Sequence, residues 1–249
     1  QLEARDQVLY INLDGRDPDA GFTGVPYVKG ALFLRALEEA AGRERFDAFL
    51  RGYFDHFSFQ SVTTADFLAY LEKHLANEVP DLIEKVPLKK WLLEPGLPEN
   101  APVPESDAFR AVERAAKSWA EGAISASEIP TREWTTQEWL HFLRSLPADL
   151  QPSQMKVLDA TCALTVSENS EILFQWLLIS IRNNYEPAYP RIETFLTTVG
   201  RRKFLKPLYS ELVKTEEGKS GAAAIYRKAR PLYHPIAVAT IDEIVGWDR

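Results

Sequence analysis

The string Val25-Pro26-Tyr27-Val28-Lys29-Gly30 puts a phenol in the first turn of what reads as an apolar helix, just after the loop Asp17-Pro18-Asp19-Ala20-Gly21-Phe22. A phenol at a helix start can point its hydroxyl into a cleft. With an ordinary tyrosine pKa of about 10 it stays protonated at neutral pH. It is then a neutral donor suited to an oxyanion that develops in a transition state. A ring that packs locally and bonds a nearby carbonyl fits the same spacing, and from spacing alone that is the plainer role. The second constellation is Gly200-Arg201-Arg202-Lys203-Phe204, between two predicted helices. A guanidinium presents a planar fork that fits a carboxylate with two bonds, whereas a lysine presents a point charge. Together they could grip the free carboxylate of a small substrate; a solvated basic turn is again the simpler alternative. Asp17 and Asp19 could polarise a ligand amine, but short acids in such a loop more readily cap a turn.

Other chemistries find less support. The four histidines (His56, His74, His141, His234) are scattered, with no pair four residues apart as a zinc-hydrolase helix requires, so no metal site is expected within the chain. His56 and His74 fall near predicted helix ends and His141 in an aromatic helix, where structural roles suffice. One cysteine, Cys162, cannot close an intramolecular disulfide. With 29 Lys and Arg against 36 Asp and Glu the formal charge is −7, and Arg201-Arg202-Lys203 is the only dense basic cluster. Nucleic acid is therefore not an expected partner, because phosphate neutralisation needs a broader cationic face. The most apolar stretch, 172–181, is interrupted by Gln175 and Ser180 and is too short to span a bilayer. No membrane partner is expected; no signal-like opening is visible, and a cytoplasmic location is expected, or a periplasmic or secreted one where a signal lies upstream of Gln1.

The elements that must hold these residues are predicted to be helical nearly throughout the 249 residues. After an extended start at 8–11 and a loop over 12–24, Pro26 suits a first helical turn. Val28, Ala31, Leu32, Leu34 and Leu37 then recur at helical spacing until Gly42. A second helix is expected over about 44–56, a third opened by a Thr63-Thr64-Ala65-Asp66 capping box and running to His74, and a short fourth around Leu88, Trp91 and Leu92. Pro95, Pro98, Pro102 and Pro104 mark a boundary, because prolines at that density favour extended chain. Beyond it lie seven or so helical patterns. Thr135-Thr136-Gln137-Glu138 caps one, and Asn169 or Ser170 caps the apolar run 172–181. Trp119, Trp134, Trp139 and Trp176 read as core anchors. Short connections favour stacked antiparallel hairpins without a fixed repeat.

At these same residues the chain resembles a known family. Asp17-Pro18-Asp19 with Val25-Pro26-Tyr27-x-Lys29-Gly30 is similar to the segment downstream of the zinc site in gluzincin aminopeptidases, specifically the branch of leukotriene A4 hydrolase and aminopeptidase B. The likeness continues through Phe57-Ser58-Phe59-Gln60-Ser61-Val62-Thr63-Thr64, Trp91-Leu92-Leu93-Glu94-Pro95-Gly96-Leu97-Pro98 and Asn169-Ser170-Glu171-Ile172 with Trp176-Leu177. It ends with Gly200-Arg201-x-Lys203-Phe204, Pro207-Leu208 and His234-Pro235. A lone Tyr-x-Lys-Gly would be weak, but an ordered series over most of the chain is specific.

The resemblance implies an all-α chain. Residues 1–95 would be the helical end of a thermolysin-like catalytic domain, 96–106 a proline-rich linker, and 107–249 an armadillo- or HEAT-like C-terminal domain of leukotriene A4 hydrolase type. It implies a zinc aminopeptidase acting on short peptides, with zinc ligands upstream of Gln1 and none in this part, which alone would be inactive. Tyr27 matches the tyrosine that bonds the tetrahedral intermediate. Arg201 matches the arginine that holds the substrate carboxylate, Lys203 the lysine beside it, and Asp19 an aspartate of the substrate cavity. Val28 replaces a glutamate, and Phe22 stands where leukotriene A4 hydrolase has a second pocket tyrosine, a lost phenol that favours peptide cleavage over epoxide opening. A non-catalytic helical scaffold that binds a protein or peptide is the alternative from another class, and an epoxide hydrolase is a third.

Overall fold

Helix follows helix because the chain supplies start signals and breakers at short intervals. The computed structural model describes residues 2–16, 21 and 23–247, and among them no strand occurs. The chain divides into two units, 1–104 and 105–249, each with a core of its own.

The first unit opens with a 3-10 turn, Ala4–Asp6, and a segment whose Tyr10 amide donates to the Leu92 carbonyl at 2.9 Å. Helix α1 spans Val25–Ala41 and α2 spans Arg43–His56. Gly42 alone separates them at φ 83°, a left-handed value that costs glycine nothing and other residues strain. The apolar periodicity of α1 is real, but the helix is apolar on nearly every side, so spacing alone does not choose the inward face. Lys29, Phe33, Ala36, Leu37 and Ala41 are buried, while Val28 and Leu34 are exposed. Helix α3, Thr64–Leu71, starts with the expected capping box: Thr63 accepts from the Asp66 amide, and Asp66 accepts from the Thr63 amide at 2.9 Å. It runs on into a π-helical turn, Glu72–Ala76, that carries His74. Helices α4, Leu82–Lys85, and α5, Leu88–Leu93, complete the unit. Its core holds Phe33, Leu37, Phe49, Leu71, Leu75 and Trp91. Truncating such a fully enclosed leucine costs about 2–5 kcal/mol.

The second unit contains α6 (Asp107–Ala120), α7 (Thr136–Ser145), α8 (Pro152–Cys162) and α9 (Ser170–Arg182). These are followed by α10 (Tyr189–Thr198), α11 (Arg202–Leu212), α12 (Glu216–Ala229) and α13 (Pro235–Val245). Helix α6 packs on α7, and then α7, α9, α11 and α13 lie each against the next. Helices α10 and α12 pair beside them. Contacts between every second helix define a two-layer helical stack, as a chain of hairpins demands. Ser106, Thr135, Asn169 and Thr215 each cap a helix by accepting backbone amides, contributions of about 1 kcal/mol apiece. Trp119 and Trp176 are buried, and Trp134 and Trp139 pack half-buried against the same core.

Candidate active site

Tyr27 is the third residue of α1. No side chain caps this helix at Gly24; the Val25 amide instead donates to Thr23 Oγ1 at 3.2 Å, and Pro26 presets the backbone of the first turn. The Tyr27 side chain is 71% exposed. Among the described residues its hydroxyl has no hydrogen-bond partner, so the local-packing role that spacing alone favours is not the one adopted. The ring stands instead on a groove of about 560 Å³ lined also by Ala31, Leu34, Tyr53, Phe67 and Leu92. A second groove of about 360 Å³, lined by Tyr10, Leu68, Leu88 and Leu93, shares Thr63, Thr64 and Leu92 with the first. The site is thus an open apolar trough with an exposed phenol on its edge.

Beneath this turn lies a residue whose role the sequence does not reveal. Lys29 is only 3% exposed, and its ammonium donates to the Glu94 carbonyl at 2.6 Å and the Gln7 carbonyl at 3.2 Å. Burial pushes its pKa below the ordinary lysine value, and the Glu94 carboxylate pulls the other way. The available signal was its place on the 29-33-37 stripe, where a buried face calls for an apolar residue.

In the second unit, Arg201 occupies the N-cap position of α11, and its carbonyl accepts from the amides of Phe204 and Leu205 at 2.9 and 3.1 Å. Its exposed guanidinium lies 5.7 Å from the centre of the Phe204 ring. Lys203 lies 5.1 Å over the same ring and donates to Glu171 Oε1 at 2.5 Å. Phe204 is itself buried against Phe174 and Phe195. Among the described residues no carboxylate is within ion-pair reach of Arg201. Pro207 sits inside α11, so the helix lacks the amide that would bond the Lys203 carbonyl. Asp17, Asp19 and Phe22 lie outside the described residues.

The remaining candidates serve structure. His141 pairs with Glu113 at 2.7 Å and stacks on Phe109, His234 caps α13, and His56 and His74 contact the Tyr70 ring. Burial pushes the Cys162 thiol up to about 11, which leaves it a poor nucleophile. Among the described residues no three His, Cys, Asp or Glu side chains are grouped to hold a metal. No helix there is long and apolar enough to cross a membrane.

Known proteins match along most of the chain. The family "Leukotriene A4 hydrolase, C-terminal" matches residues 134–245, and the "Peptidase family M1 domain" matches residues 3–91. Leukotriene A-4 hydrolase of Xenopus laevis is 31% identical over 92% of this chain, which covers 38% of that protein. Leucine aminopeptidase 2 of Yarrowia lipolytica is 33% identical over 89% of this chain and 36% of its own length. The structure of yeast LTA4 hydrolase in complex with bestatin is similar with a TM-score of 0.84 and 28% identity, over 97% of this chain and 42% of that one. The chain therefore spans about two fifths of the relatives it matches. Two family matches, one in each half of the chain, and a helical fold lead to one assignment: this chain belongs to the M1 peptidases, in the leukotriene A4 hydrolase branch, and corresponds to their C-terminal portion.

Proposed function

We propose that this chain works as the C-terminal part of an aminopeptidase that removes N-terminal residues from short peptides. The observation that carries this reading is the unpartnered Tyr27 phenol on an apolar groove, within the family's Tyr-x-Lys-Gly string. Attack of water on a scissile amide moves negative charge onto the carbonyl oxygen. A phenolic O–H donates to that oxygen without bringing a charge of its own, so its bond strengthens as the transition state forms. Arg201 is suited to the carboxylate at the other end of a short peptide, with Lys203 beside it. Asp19 and Phe22 are substrate-binding residues in this reading.

M1 peptidases are zinc-dependent. The described residues do not fit that ion, because none of their acid, imidazole and thiol groups come together in threes. In this reading the metal ligands belong to the part of the family's proteins that this chain does not span, and the 249-residue chain alone is expected to be inactive.

The test is Tyr27→Phe in the complete enzyme, assayed on an aminoacyl anilide. Loss of one oxyanion donor is expected to lower kcat about a hundredfold or more, with little change in KM. An unchanged kcat would remove Tyr27 from the chemistry.

A further inference from the structure

Lys29 breaks two local rules at once. It places a cation in the second turn of α1, at the positive end of the helix dipole, and it buries an ammonium that has no carboxylate bonded to it. Residues that break local rules this way are expected where function requires it. Its bonds are long-range: the Gln7 carbonyl lies 22 residues before it and the Glu94 carbonyl 65 residues after it.

Those two carbonyls belong to the two strands of chain that flank the start of α1. The segment around Gln7 is also tied to α5 by the Tyr10 amide on the Leu92 carbonyl at 2.9 Å, and Leu9 comes close to Gly30. The ammonium therefore fastens α1 to both flanking segments. Meanwhile the helix start has little holding it locally, with no side-chain cap and no acidic residue in its first turn. Tyr27 and Lys29 are two residues apart, about 200° around the helix, so one faces outward as the other faces inward. Whatever fixes the rotation of the turn on its inner side fixes the phenol on its outer side.

We propose that Lys29 is a positioning residue: its buried ammonium, shared between the Gln7 and Glu94 carbonyls, sets the orientation of the first turn of α1 and so the place of the Tyr27 hydroxyl. The proposal rests on the catalytic reading of Tyr27 and adds to it the group that aims the donor.

Two measurements test it. In this chain, 3-fluorotyrosine is introduced at position 27, and at position 189 in the other unit as a control. Lys29→Met is expected to shift and broaden the fluorine resonance of Tyr27 while leaving that of Tyr189 in place. If Lys29→Met does not fold, Lys29→Arg keeps donors but displaces them, and is expected to move the Tyr27 line alone. A Tyr27 line unchanged in a folded Lys29 variant overturns the proposal.

In the complete enzyme, Lys29→Met is expected to lower kcat about ten- to a hundredfold with KM within about twofold, the scale of a misplaced reacting group. In a Tyr27→Phe background the same change is expected to cost nothing further. Losses that multiply, or an unchanged kcat, overturn the proposal. If Tyr27→Phe alone leaves kcat intact, the catalytic reading falls, and the fluorine line by itself decides whether Lys29 orients the ring.

Discussion

Phe204 makes neighbours of two like charges. Arg201 and Lys203 both lie over its ring, at 5.7 and 5.1 Å, an arrangement worth about 0.5–1 kcal/mol per cation where water has access. Glu171 already neutralises Lys203, so Arg201 keeps the free capacity for an incoming carboxylate. Arg201→Ala in the complete enzyme is accordingly expected to lower kcat/KM about ten- to a hundredfold for peptides with a free C-terminus, the scale of one charge-assisted bond. C-terminally amidated peptides are expected to lose far less. Equal losses for both, measured side by side, would take the anchoring role from Arg201.

Helices α2 and α3 meet at a contact that only glycine allows. A Cβ on Gly52 would stand 2.7 Å from the Tyr70 hydroxyl and 4.0 Å from the ring carbon that bears it. Tyr70 has little freedom to retreat, because its ring contacts Phe49, Tyr53, His56, Phe57 and His74. Gly52→Ala is thus expected to destabilise the first unit despite the roughly 1 kcal/mol that alanine gains in a helix. In a Tyr70→Phe background the clashing oxygen is gone, and the same change should stabilise by up to about that amount. Chemical denaturation of the four chains would show the reversal of sign; a destabilisation of equal size in both backgrounds would refute the contact. No sequence pattern announces this meeting, since Gly52 and Tyr70 belong to different helices. The capping boxes at Thr63 and Thr135 were legible because each closes within three residues. Tyr27 and Arg201 were legible as family strings, whereas the Lys29 clamp depends on carbonyls 22 and 65 residues away.

Three short-range capping boxes, opened by Thr63, Ser125 and Thr135 and distributed over both units, are expected to give the chain a common response to acid. Hydrogen bonds from the Thr63 hydroxyl and amide hold Asp66 below the usual carboxylate range, and the amide and hydroxyl of Ser125 and of Thr135 do the same for Glu128 and Glu138. Folded-state values below the unfolded ones mean a contribution that is complete above the ordinary glutamate value of 4.5 and disappears as pH falls through the folded values. Denaturation midpoints should therefore decline on acidification below about that pH. Glu128→Gln with Glu138→Gln keeps an acceptor in each box but removes its titration. That variant is expected to be less stable than the parent near neutrality and to converge on it in acid, so that it declines less steeply. An acid limb superimposable on the parent's would exclude these carboxylates as its source.

The proline within α11 carries a consequence for the cations ahead of it. With no hydrogen on the Pro207 nitrogen, the turn bearing Arg201 and Lys203 is joined to the shaft behind it by one backbone link fewer. A rod notched near its tip swings the tip before it bends the shaft. Under the proposed function, in which Arg201 grips a peptide by its far end, such a pivot would let the guanidinium meet termini of unequal reach.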